Sequence, residues 1–141
     1  MTIEKLIVVS GKPGIFKIES QSKTGLIVQG LNDDKKFPIL NIHNVSGLND
    51  IAIYTYDDEV PLKEVFYKIY KKEAGKKTIN HKESKKVLED FLEDVLPNYD
   101  RERVYPSNIK KIVQWYNLLV DAGFNFESIK EQEAVTSEEE E

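Results

Sequence analysis

Residues 51–69 read Ile-Ala-Ile-Tyr-Thr-Tyr-Asp-Asp-Glu-Val-Pro-Leu-Lys-Glu-Val-Phe-Tyr-Lys-Ile, and the hydrophobic period changes inside them. Up to Tyr56 the alternation has period two: Ile51, Ile53 and Thr55 on one side, Ala52, Tyr54 and Tyr56 on the other. That is the pattern of a half-buried strand. From Leu62 onward, Leu62, Val65, Phe66 and Ile69 follow i, i+3, i+4, i+7, the stripe of an amphipathic helix. Pro61 suits the first helical position, where its missing N–H is no loss. The chain therefore divides into a β-rich part before about residue 57 and a helical part after it.

Working back from this point, four more short strands are expected at Leu6–Ser10, Ile15–Ser20, Gly25–Gly30 and Lys35–Leu40. Gly11-Lys12-Pro13-Gly14 and Asn32-Asp33-Asp34 are turns, and Pro38 assigns its strand to an edge or a bulge. Five strands in about 55 residues predict a small antiparallel barrel of SH3-like rather than OB-like topology. Working forward, Gly75 and nearby lysines end the first helix. Asn80 with Glu83 caps a second helix carrying Val87, Leu88, Phe91, Leu92 and Val95. Ser107 caps a third, with Ile109, Ile112, Val113, Tyr116, Leu119 and Val120, ended by Gly123. The expectation is an α+β chain: barrel 1–57, a helix at 58–74 packed on it, a helical hairpin at 75–126 and an acidic, disordered tail at 127–141.

Composition excludes more chemistry than it suggests. The 141 residues contain no cysteine and two histidines, His43 and His81, without HxxxH or HExxH spacing. Thiolate metal sites, disulfides and thiol nucleophiles are excluded, and a histidine zinc site is not expected. GxxxxGK[ST], GxGxxG and GxSxG are absent. Asp57-Asp58-Glu59 lacks EF-hand spacing, and its expected role is to complement a helix dipole. No metal, cofactor or catalytic residue is assigned. The longest apolar run, Leu6–Val9, is far below the roughly 20 residues of a membrane helix, and residues 1–5 have no signal-peptide pattern. A cytoplasmic address without membrane attachment follows, in which the Asn44-Val45-Ser46 sequon has no meaning.

The net charge of −5 averages two opposed segments. Residues 63–86 hold nine Lys against three Glu, whereas the last fifteen residues hold seven Glu against one Lys. Lys68, Lys71, Lys72, Lys76, Lys77, Lys85 and Lys86, interleaved with Tyr67 and Tyr70, are the candidate nucleic-acid contacts. Lysines hold phosphates by charge, and tyrosines stack on unpaired bases. The alternative is a solvated, soluble face. Trp115 lies off the stripe of the third helix with Leu118 and Ala122, and packs either on the β part or on a partner. Tyr99 and Tyr105, flanking Arg101 and Arg103, have the composition of a contact loop.

Several phrases in order, Ser10-Gly11-Lys12-Pro13-Gly14, Asp50 to Thr55, Val60-Pro61-Leu62, Val95 to Asp100, Arg103-Val104-Tyr105, Ile109-Lys110-Lys111 and Trp115-Tyr116, carry a resemblance. Together they resemble a family of short proteins of unknown function common in Bacteroidetes, with a β-rich N-terminal and a helical C-terminal part. The resemblance implies the two-part division and a bacterial origin, and no catalytic residues.

The functional expectation is a non-enzymatic binding module that takes RNA or DNA on residues 63–86. A protein-interaction or homodimer module built on Trp115 is the alternative. An enzyme or small-ligand site between barrel and helices comes third.

Overall fold

The structure, a computed structural model, describes residues 3–40 and 44–129. The expectations for His43 and for the tail from residue 130 lie outside these.

The alternating N-terminal segments pair as expected. β1 (Leu6–Val9), β2 (Lys12–Ser22), β3 (Gly25–Gly30), β4 (Lys36–Leu40) and β5 (Val45–Gly47) form one antiparallel sheet in the order β4-β3-β2-β1-β5. Gly11, at φ 84°, supplies the left-handed residue of the β1–β2 turn. At Gly25 a Cβ would collide with the carbonyl of Ile39, so the β3–β4 pairing requires glycine there. Pro38 does lie on an edge strand, where its missing donor breaks no ladder.

The sheet does not close into the expected barrel. β5 is only three residues long and runs into a 3-10 turn at Leu48–Asp50. The strand expected to complete the barrel pairs elsewhere: β6 (Ala52–Tyr54) forms a hairpin with β7 (Glu59–Pro61), in a separate two-stranded sheet. The ring of Phe16 on β2 meets that of Phe37 on β4 edge to face at 5.2 Å, across the strand between them.

Asp57-Asp58 lies in the β6–β7 turn and Glu59 opens β7, so the cluster is not at a helix N-terminus. The Thr55 hydroxyl accepts from the Asp58 amide at 2.9 Å and donates to the Asp58 carbonyl at 2.8 Å. The helices begin slightly differently from expectation. α1 (Leu62–Lys72) has Pro61 as its N-cap. α2 (Lys85–Val95) is capped by Ser84, whose hydroxyl accepts the Val87 amide. Asn80 instead folds back on the Lys82 amide at 2.8 Å, a local turn that competes with capping. α3 (Pro106–Asp121) takes Pro106 as its first residue, and Tyr105, not Ser107, stands at the N-cap.

One apolar cluster unites the two parts. Ile3, Leu6, Ile15 and Leu48 from the N-terminal part pack with Leu62, Phe66, Leu92, Ile112 and Tyr116 from the helices. A smaller cluster of Ile7, Val9, Phe16, Val28 and Ile39 occupies the opposite face of the sheet. The C-terminal segment also joins the core. Ile129 is fully buried, and Phe126 stacks on Tyr70 at 5.1 Å. Residues 127–129, expected to begin the tail, are therefore part of the folded body.

Candidate binding groove

The lysine-rich stretch is the first place to look for a site, and four of its nine lysines are matched by carboxylates of the fold. Lys72 pairs with Asp94 on α2 at 2.8 Å, and Lys77 with Asp121 at the end of α3 at 2.9 Å. Lys71 pairs with Glu127 at 3.6 Å and Lys86 with Asp90 at 3.7 Å. The Lys71 ammonium is held above its ordinary range by Tyr67 and then Glu127, and that of Lys72 by Asp94. Lys68, Lys76 and Lys85 are exposed and make no ion pair among the described residues. The interleaved tyrosines also turn inward. Tyr70 lies on Phe126, and the Tyr67 hydroxyl donates to Glu127 at 3.2 Å. Both rings are half-buried.

The loop before α3 is mostly tied to its own core. Tyr99 is 1% exposed, and the Arg101 guanidinium lies 4.5 Å above its ring. Arg101 also pairs with Glu93 at 3.4 Å. Burial pushes the Tyr99 phenol up. Tyr105 is 59% exposed, and its amide donates to the Asn108 side chain, so its placement belongs to the helix start. Arg103 pairs with Asp100 at 3.4 Å and lies 5.2 Å from the centre of the Tyr54 ring.

The built concavity lies elsewhere, between the N-terminal part and α3. A cavity of about 490 Å³ separates the turn at Ser10–Gly14 from α3. A second, of about 240 Å³, lies between β6 and the first half of α3. They share Ile51, Lys111 and Trp115, and so form one groove with the half-buried indole in its wall. Lys111 and Trp115 are four residues apart on α3 and so share a helix face. A hydrogen bond from the Asn32 side chain to the Leu118 carbonyl, 3.0 Å, ties that helix to the sheet.

The groove is electrostatically one-sided. Its charged lining residues are Lys12, Lys111 and Arg103, and no carboxylate of the described residues lines either cavity. Lys12 stands 4.8 Å above the Phe37 ring. Neither Lys12 nor Lys111 makes an ion pair among the described residues. Beyond Tyr54 and Arg103 the sign reverses: Asp57, Asp58, Glu59 and Asp100 line a third hollow of about 270 Å³. Among the described residues no group of His, Asp or Glu side chains is arranged to hold a metal ion.

Of the residues singled out in the sequence, Trp115 and Arg103 thus come together, whereas the seven lysines do not contribute to the groove. Lys12 and Lys111 were missed. The spacing of Lys111 to Trp115 was a usable signal, but the approach of the Ser10–Gly14 turn to α3 joins residues a hundred positions apart.

Residues 3–48 match a domain of unknown function (DUF5606), and residues 51–119 match a second (DUF6852). The boundary between the matches falls where the 3-10 turn hands the chain from the sheet to β6. A protein from Bacteroides vulgatus solved by solution NMR is 42% identical, over 86% of this chain and 88% of that one, with a TM-score of 0.72. No curated protein matches the chain.

Proposed function

The chain belongs to the same family as the Bacteroides vulgatus protein, and from that premise we propose that it is a non-enzymatic binding module whose contact surface is the groove around Trp115. The observation that carries this reading is the groove's lining. A half-buried indole stands beside three cations, of which Lys12 and Lys111 make no ion pair among the described residues, in a concavity that no described carboxylate lines, on a chain whose net charge is −5. A large aromatic in a sheltered pocket is the usual anchor of a contact surface. The cations select an anionic partner by steering and by desolvated contact. This is the protein-interaction reading of Trp115, and a cytoplasmic location goes with it. Among the described residues no helix is long and apolar enough to cross a membrane.

Nucleic-acid binding on residues 63–86 is the second reading. It rests on Lys68, Lys76 and Lys85, the exposed lysines of the candidate set without an ion pair among the described residues. The strand order β4-β3-β2-β1-β5 supports a likeness to an opened SH3-like barrel, at the level of fold alone.

Trp115 is the chain's one tryptophan, so its emission reports on the groove. Titration with a valine–glutamate peptide and with a thymidine oligonucleotide at low salt is expected to give a saturable change for at least one of them. Salt of about 0.5 M should reverse it. No change with either polyanion refutes the groove as a binding surface. Oligonucleotide binding that leaves Trp115 unchanged but is lost on reversing Lys68, Lys76 and Lys85 supports the second reading instead.

A further inference from the structure

The second wall of the groove is the strand β6, and its backbone is only half used. In an antiparallel pair, successive residues point their N–H and C=O groups alternately towards and away from the partner strand. The Thr55 amide donates to the Asp58 carbonyl at 2.7 Å, and the Leu62 amide to the Ile51 carbonyl at 2.9 Å. Residues 51, 53 and 55 therefore face β7, and residues 52, 54 and 56 face outward. On that outer side the segment 98–100 pairs with the far end of the strand. The Tyr56 amide donates to the Asn98 carbonyl at 3.0 Å, and the Asp100 amide to the Tyr54 carbonyl at 2.9 Å. The chain then turns away at 101–103. The Tyr54 amide and both backbone groups of Ala52 are left without a hydrogen-bond partner among the described residues. Both residues border the smaller cavity.

We propose that this edge accepts a further strand, an extended acidic segment of a partner protein, in line with residues 98–100. The inference rests on the groove being the contact surface and names its partner's chemistry. An open edge is a template for an added strand. Main-chain hydrogen bonds then supply affinity, and pockets for alternate side chains supply specificity. Here Trp115, Val104 and Ile112 line the apolar slot, and Arg103 and Lys111 flank it. Lys12 continues the positive sign along the groove. Among the described residues neither cavity has a carboxylate in its lining, so an acidic segment meets complementary charge along the groove as far as Tyr54 and Arg103, where the sign reverses, and a basic one meets like charge there.

The test uses the full chain, isotopically labelled, and a decapeptide alternating valine and glutamate. Saturable shifts at the Ala52 and Tyr54 amides are expected, with slowed exchange of the Tyr54 amide and a change in Trp115 emission. The peptide with every backbone amide N-methylated keeps its charge but has no strand N–H left to donate on either edge, and binding is expected to weaken at least tenfold. Lys111→Glu is expected to weaken the unmodified peptide by a similar factor. Equal binding of the N-methylated peptide overturns strand addition. Equal binding of a valine–lysine peptide overturns the acidic class. Amides of Ala52 and Tyr54 already protected in the free chain mean that the edge is occupied by the chain itself, which also overturns it. An oligonucleotide that moves Trp115 while the peptide does not refutes this inference and leaves the groove reading standing. Silence with both probes refutes the two together.

Discussion

Replacing Leu48 by alanine tests whether the two parts of the chain fold as one. Leu48 sits in the 3-10 turn between β5 and β6, is 0% exposed, and belongs to the cluster shared by sheet and helices. Leu→Ala at such a site removes transfer energy and leaves a cavity, together about 3–4 kcal/mol. For a chain of this size each kcal/mol lowers Tm by about 3 °C, so a fall of about 10 °C is expected. The loss is a large share of a total stability of about 5–15 kcal/mol. The assay is urea and thermal unfolding followed by three signals: far-UV circular dichroism for the helices, Trp115 emission for α3, and amide exchange of Val28 for the sheet. All three should shift together in the variant, because Leu48 packs in one cluster with both Leu6 and Phe66. If the sheet signal moves and the helical signals keep the wild-type midpoint, the single core is refuted. The chain is then two independent units joined at residues 49–50.

Other outcomes follow from individual contacts. The buried Tyr116 hydroxyl donates to the Lys76 carbonyl at 2.8 Å, so Tyr116→Phe should cost about 1 kcal/mol in urea denaturation. Burial pushes the same phenol up to about 12 from 10.0. The unfolded chain therefore loses this proton first, stability falls as pH rises from 10 to about 12, and Tyr116→Phe should abolish that component. Burial, then Lys110 and Lys82, lower the pKa of His81 from 6.5. The unfolded chain takes up this proton first, so Tm should fall as pH drops below 6.5, and His81→Asn should lessen the fall. A double-mutant cycle on Lys77 and Asp121, both partly exposed, should return a coupling of about 0.2–1 kcal/mol that shrinks in salt. A coupling of zero would mean the lysines are not held by their carboxylates, and would restore weight to the nucleic-acid reading.

Much of the architecture was legible in the order of residues. Alternation located β1 to β4 and β6, and the stripes of α1, α2 and α3 were read at their correct spacing, because period two and period 3.6 are local properties. Helix ends were less legible. Asn80 and Ser84 are both good caps, and only the packing of Leu88 and Phe91 on the core selects which one starts α2. The short strands β5 and β7 carry three residues each, too few to show a period. Closure of the sheet depends on where Ile51–Tyr56 finds its partner, and the local alternation is the same in either case.

The candidate site shows the same division more sharply. By itself the sequence determined that thiol chemistry is absent, that its two histidines lack metal-ligand spacing, that a basic stretch precedes an acidic end, and that one tryptophan lies off the core stripe. Counting lysines along the chain selected residues 63–86. Only the tertiary structure decided which cations are available. It brings Asp94, Asp121 and Glu127 against Lys72, Lys77 and Lys71, and leaves Lys12 and Lys111 facing a groove that no carboxylate of the described residues lines. Coulomb attraction falls with distance through space, and composition counts charge along the chain. The open edge of β6 has the same origin. Every residue carries a backbone donor or acceptor, and whether one is left unpaired is settled by which distant segments arrive beside it.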